Sequence, residues 1–165
     1  MLFDTHAHMN DPAFDEDRDE ILRTLPEKGV HLMVNIGCSL TSSRDCVEMA
    51  NRYPHVYATV GSHPDSADEV NDVVLEEYRK LCKLNPKVKA IGEIGLDYYY
   101  EDIPREVQKK AFIMQMELAR ELQLPVVVHE RDAHQDGMDI VRSFRDVTGV
   151  FHCYSGSAEM ARQLV

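Results

Sequence analysis

His6 and His8 close the first apolar run of the chain, Met1-Leu2-Phe3-Asp4-Thr5-His6-Ala7-His8. Residues two apart on an extended strand point the same way, so the two imidazoles share a side. Two neutral imidazoles at a strand end make half of a metal site. The same pair also fits half-buried or turn histidines, so its meaning depends on what recurs downstream. A polar residue recurs after other short apolar runs. Gly61-Ser62-His63-Pro64 follows the third, Gly92-Glu93-Ile94-Gly95-Leu96-Asp97 closes the fourth, and His129 and His152 close the fifth and sixth.

The elements that must position these residues alternate along the chain. Strands are expected over 2–5, 32–36, 56–60, 90–93, 126–129 and 150–152. Helical patterns lie between them. Ile21 and Leu25 mark one before Gly29. A second opens at Thr41-Ser42-Ser43, carries Cys46, Met49, Ala50 and Tyr53, and stops at Pro54. A third runs through Val74, Tyr78, Leu81 and Cys82 to Asn85-Pro86. After Pro104, Val107, Ala111, Met114, Leu118 and Leu122 repeat at helical spacing, and a last helix opens at Ser157. Six βα units fit a TIM-type (β/α) barrel, which needs eight units and about 250 residues. The expectation is therefore a single α/β domain over 1–165 holding six of eight units, cut before the last two strands. In such a fold the C-terminal strand ends share one rim, where chemistry is built. Four of the six runs delivering His or Glu to that rim point to a metal site.

Ligand type suggests a division of labour. His6, His8, His129 and His152 offer neutral nitrogens, and Glu93 is the one carboxylate among them, with two oxygens able to bridge two cations. One metal would take His6, His8 and Glu93, the other Glu93, His129 and His152, which leaves the first short of an acidic ligand. Four histidines among five ligands suit Zn, Mn or Co better than an oxygen-loving cation.

The neighbours stay open between two readings each. His63 is a substrate-facing acid or hydrogen-bond donor, or a turn residue. Arg131 holds a phosphate or is a solvated arginine. Tyr98-Tyr99-Tyr100 stacks a base or packs on the next helix. Asp97 supports a ligand from behind or forms a turn. Gly92 and Gly95 fit backbone crowding beside Glu93. His31, His55 and His134 read as surface residues, Cys153 as core, and Asp15-Glu16-Asp17 as a helix N-terminus.

Composition bounds the classes. The chain has 165 residues, 44% hydrophobic, and a net charge of −11, which argues against sequence-blind adhesion to a polyanion. Metals can supply the positive charge that the side chains do not. No apolar stretch is long enough to span a bilayer, and Asp4 interrupts any signal-peptide core. The four cysteines form no CxxC pair, so free thiols in a reducing cytoplasm are expected, with no membrane and no obligate protein partner.

Taken together, the segments Phe3 to His8, Gly61 to Pro64, Gly92 to Tyr98, Pro125 to Ala133 and Phe151 to Gly156 resemble the TatD family of metal-dependent deoxyribonucleases, within the amidohydrolase-like barrel enzymes. The resemblance implies hydrolysis of DNA phosphodiester bonds, typically exonucleolytic and on single strands among others, with two divalent metals (Mg, Mn or Zn). By position His6, His8, Glu93, His129 and His152 match the family's metal ligands, and His63 matches a histidine facing the scissile phosphate. The family's late aspartate, in a Thr-Asp-Ser-Pro-like motif, has no counterpart here, which implies an incomplete first metal. Two other readings compete: a barrel hydrolase acting on a small ester, amide or phosphoester, and an inactive metal-binding fragment. Glu93 stands where a bridging lysine would favour the amidase side.

Overall fold

The computed structural model describes residues 1–100 and 102–165. The expected alternation is present throughout. Strands β1 (Leu2–Ala7), β2 (Val30–Asn35), β3 (Val56–Val60), β4 (Val88–Asp97), β5 (Val126–Arg131) and β6 (Gly149–Phe151) lie side by side in chain order. Every neighbouring pair is parallel. Helices α1 (Arg18–Thr24), α2 (Leu40–Arg52), α3 (Asp72–Leu84), α4 (Arg105–Leu122), α5 (His134–Arg142) and α6 (Ala158–Leu164) follow the six strands in turn. The sheet curls into a half-barrel. Its first and last strands are not paired with each other, yet the ring of His6 at the end of β1 stacks on that of His152, just past β6, at 3.5 Å.

Local signals explain the boundaries. Ser39, not the Thr41-Ser42-Ser43 cluster, caps α2: its side chain accepts from Ser42 N–H, and the Ser42 hydroxyl answers the cap's own backbone. Asn71 caps α3 by accepting from Val73 and Val74 N–H. α4 starts after Pro104 and ends at Gln123, whose φ of 54° halts the helix. β4 runs four residues beyond the expected end at Glu93, because Ile94 to Asp97 continue to pair with β5.

The core lies between the sheet and its helices. Met33, Val56, Ala58, Ile91 and Val126 are buried with Cys46, Ala50, Phe112, Met116 and Ala119 from α2 and α4. A handful of polar groups is buried with them, and each is bonded. Two glutamines of α4 matter most for the rim. Gln115 accepts from Ser62 N–H at 2.7 Å and donates to Ser62 C=O at 3.1 Å. One heptad earlier, Gln108 accepts from Asp97 N–H and donates to Asp97 C=O, both at 2.9 Å.

Three expectations need correction. Cys153 is exposed rather than core, since the chain turns there with a φ of 47°. His55 is half-buried, its ring bonded to Leu22 C=O at 2.8 Å. His134 is half-buried too, bonded through Nδ1 to the buried Glu130 at the start of α5. Among the described residues, no helix is long and apolar enough to cross a membrane.

Candidate metal centre

Glu93 is the pivot of the rim. On β4, Ile91 pairs with Val126 and Ile94 with Val128, so three steps on one strand match two on the other. A bulge of this kind takes a side chain out of the regular alternation, and here it falls on Gly92 and Glu93. The crowding expected from the flanking glycines is present. A Cβ on Gly95, whose φ is 144°, would fall 2.0 Å from the His129 carbonyl oxygen. The Glu93 N–H donates to Gly37 C=O at 2.7 Å, tying the bulge to the end of β2.

Around the Glu93 carboxylate the histidines converge. Its Oε2 lies 3.3 Å from His6 Nε2 and 3.7 Å from His8 Nε2, and its Oε1 lies 3.1 Å from His129 Nδ1. His6 and His8 face each other through their Nε2 atoms at 3.0 Å, as expected of residues two apart on a strand. His152 stacks on His6, and the His63 ring stands edge-on to that of His129 with centroids 4.3 Å apart. The donors form three overlapping triplets: His6-Glu93-His152, His8-Cys38-Glu93 and His63-Glu93-His129. Glu93 belongs to all three. The grouping differs from the division expected from ligand type, because His152 sits with His6 and His63 sits with His129.

Asp97 stands behind His129. Asp97 Oδ2 is 3.0 Å from His129 Nε2, while its Oδ1 accepts from Tyr99 and Tyr100 N–H at 2.9 and 3.4 Å. One side chain therefore both braces the His129 ring and forms the turn. A carboxylate on the far nitrogen fixes the orientation of a ligating imidazole and raises its basicity. Arg131 ends β5 with its guanidinium 3.7 Å above the Tyr99 ring. Tyr99 and Tyr100 are exposed, whereas Tyr98 packs down, donating to Asp136 at 2.6 Å with Arg105 over its ring. A cleft of about 260 Å³ opens beside the centre, lined among others by His63, Asp65, Asp97, Tyr100 and Gln108.

The electrostatics fit a cation. Glu93 is only 3% exposed, and among the described residues its ionic partners are histidines alone, with no Lys or Arg in reach. A buried carboxylate needs a positive partner. Burial pushes the Glu93 carboxyl up. Hydrogen bonds from His129 and His6, with the His6 and His63 charges, outweigh this and hold it well below the usual carboxylate range. Burial first, then the His6 charge, lowers both His8 and His152, which favours the neutral form a metal requires. His129 is also pulled down by burial, but its bonds to Glu93 and Asp97 win and raise it.

Cys38 and the two glutamines escaped the sequence reading. Cys38 stands a few residues past the end of β2, the same kind of position that drew attention to His63, but a lone thiol without a partner motif carried no signal. Gln108 and Gln115 look like solvent-facing positions of an amphipathic helix.

The family model described as TatD related DNase matches residues 3–165. The metal-dependent hydrolase YabD of Bacillus subtilis is 38% identical over 165 residues, which cover 99% of this chain and 64% of that protein. A protein of Escherichia fergusonii named 3'-5' ssDNA/RNA exonuclease TatD is 32% identical over 160 residues, 96% of this chain and 61% of its own length. The crystal structure of YjjV, a TatD homologue from Escherichia coli, superposes with a TM-score of 0.89 at 31% identity, over 99% of this chain and 64% of that one. The chain thus spans between 61% and 64% of the length of these relatives.

Proposed function

Since the chain belongs to the TatD-related DNase family, we propose that its rim centre hydrolyses phosphodiester bonds of DNA, single strands included, from an end. The observation that carries this reading is the buried Glu93 carboxylate with the imidazoles of His6, His8 and His129 within 3.7 Å, His63 and His152 clustered with it, and no Lys or Arg among its ionic partners. We assign His6, His8, Glu93, His129 and His152 as ligands of two divalent cations, Mg, Mn or Zn, within one domain over 1–165. Such cations, when bound, supply charge neutralisation for the phosphate and a water of lowered pKa.

The chain's own residues would do the rest. Glu93 offers one oxygen toward His6 and His8 and the other toward His129, so it is placed to serve both cations. His63 opens onto the same space and is assigned to meet the scissile phosphate as acid or hydrogen-bond donor. Arg131, held flat on Tyr99, is assigned to a neighbouring phosphate, since a planar guanidinium pairs well with its oxygens. The exposed rings of Tyr99 and Tyr100 offer stacking faces for a base. Four free thiols support a reducing, cytoplasmic setting.

The test is digestion of end-labelled single-stranded DNA and RNA with Mg, Mn or Zn, with and without EDTA. Metal-dependent shortening from one end is the expected result. A metal-loaded protein that leaves both strands intact while cleaving a small carboxylic or phosphate ester would overturn the nuclease reading.

A further inference from the structure

Among the described residues, Cys38 is the cysteine that joins the donor clusters of the rim. Cys38 follows β2, and its backbone is fixed on both sides: its N–H donates to Ser42 Oγ at 2.7 Å, and its C=O accepts from His63 N–H at 2.9 Å. The preceding Gly37 C=O takes the Glu93 N–H. This loop is therefore tied to two residues of the centre, and it presents the thiol to the others. Cys38 Sγ lies 3.8 Å from His8 Nδ1 and 3.9 Å from Glu93 Oε2. One His8 nitrogen, the Cys38 sulfur and one Glu93 oxygen all lie within 4.8 Å of one another. Ligands about 2.0–2.3 Å from one tetrahedral ion stand about 3.3–3.8 Å apart, so closure by about 1 Å lets the three share a cation. The other cysteines lie elsewhere: Cys46 in the core beside Asn35, Cys82 on α3 and Cys153 at the surface.

We propose that Cys38 is a sulfur ligand of this centre, closing with His8 and Glu93 a pocket for a thiophilic divalent cation such as Zn or Co. The inference rests on the metal-centre reading given above and goes beyond it, since neither the expected ligand set nor the division between two cations contains a thiol. Binding breaks the S–H bond; the sulfur keeps the electron pair and donates it to the cation, and the proton leaves to solvent. Soft sulfur favours Zn or Co over Mg, which takes oxygen ligands. The pocket thereby sharpens, at one position of the centre, the preference for softer cations that the imidazoles already set.

Cobalt titration of the intact chain reads this directly. A near-ultraviolet sulfur-to-cobalt charge-transfer absorption is expected, retained in Cys46→Ser, Cys82→Ser and Cys153→Ser and lost in Cys38→Ser. Visible cobalt absorption without the charge-transfer band, or a band that survives in Cys38→Ser, would overturn the sulfur ligand while leaving the metal centre standing. Absence of any cobalt absorption would overturn both. A second measurement needs no variant: iodoacetamide labelling of the parent chain, mapped by mass spectrometry. Zn should suppress labelling of Cys38 and leave Cys153 unchanged, whereas Mg should protect neither. Equal labelling of Cys38 with and without Zn would count against the proposal even if Cys38→Ser failed to fold.

Discussion

Glu93 carries a negative charge at only 3% exposure, and its ionic partners among the described residues are all histidines, with the Cys38 thiol 3.9 Å away. Glu93→Gln keeps the shape and removes the charge. Loss of partners that merely orient ligands costs about 10–100-fold in metal affinity, so the loss of this ligand should exceed about 100-fold. His63→Ala should behave oppositely, with metal content near that of the parent and turnover down by about 10²–10⁴, the range of a lost general acid. Elemental analysis beside the digestion assay separates the two. A drop in bound metal for His63→Ala would move that side chain among the ligands and end its assignment to substrate. These residues were readable from sequence because a His or Glu directly after an apolar run is rare enough to count. Asp97 was half readable, since an aspartate before Tyr98-Tyr99-Tyr100 looks first like a turn former. Only the fold shows its second oxygen on His129.

At the scale of elements, α4 sets the height of the rim. Gln108 and Gln115, seven residues apart on one face, each hold both backbone groups of a single peptide position, Asp97 and Ser62. Gln115→Leu would fill the same space and leave the Ser62 N–H and C=O buried without partners. At about 1–3 kcal/mol per orphaned group, a loss of about 2–6 kcal/mol is expected for the two. Gln115→Glu keeps the acceptor for Ser62 N–H but sets a buried carboxylate without a positive partner against the Ser62 C=O, so it too should fall below the parent, and by more at neutral than at acid pH. Urea midpoints of the two variants check this, and a Gln115→Leu midpoint equal to the parent's would show that the clamp contributes nothing to stability. The βα rhythm itself was legible, because apolar runs of strand length and helical spacings announce themselves. The buried glutamines were not, since binary patterning assigns polar residues to solvent. The extension of β4 was not either, because a bulge breaks the alternation by which strands are recognised.

For the whole molecule, what matters is how far apart in sequence the donors are and how close the curl brings them. His6 lies on β1 and His8 just past it, Cys38 follows β2, Glu93 sits on β4, His129 on β5, and His152 follows β6. No hydrogen bonds join β1 to β6, so the stacked rings of His6 and His152 are a meeting point between the two edges of the sheet. A cation held by donors from both edges would link them across the rim. Unfolding then requires release of that cation, and ligand linkage gives about 2.7 kcal/mol of added stability when free metal is 100-fold above its Kd. For a chain of this length each kcal/mol moves the melting temperature by about 2–4 °C, so saturating Zn should raise Tm by about 5–10 °C. EDTA should return the metal-loaded chain to the lower value. Glu93→Gln should melt at one temperature with and without Zn, since the donor common to all three triplets is gone. A parent chain whose melting is indifferent to Zn, Mn and EDTA would show that the converging donors do not hold a cation.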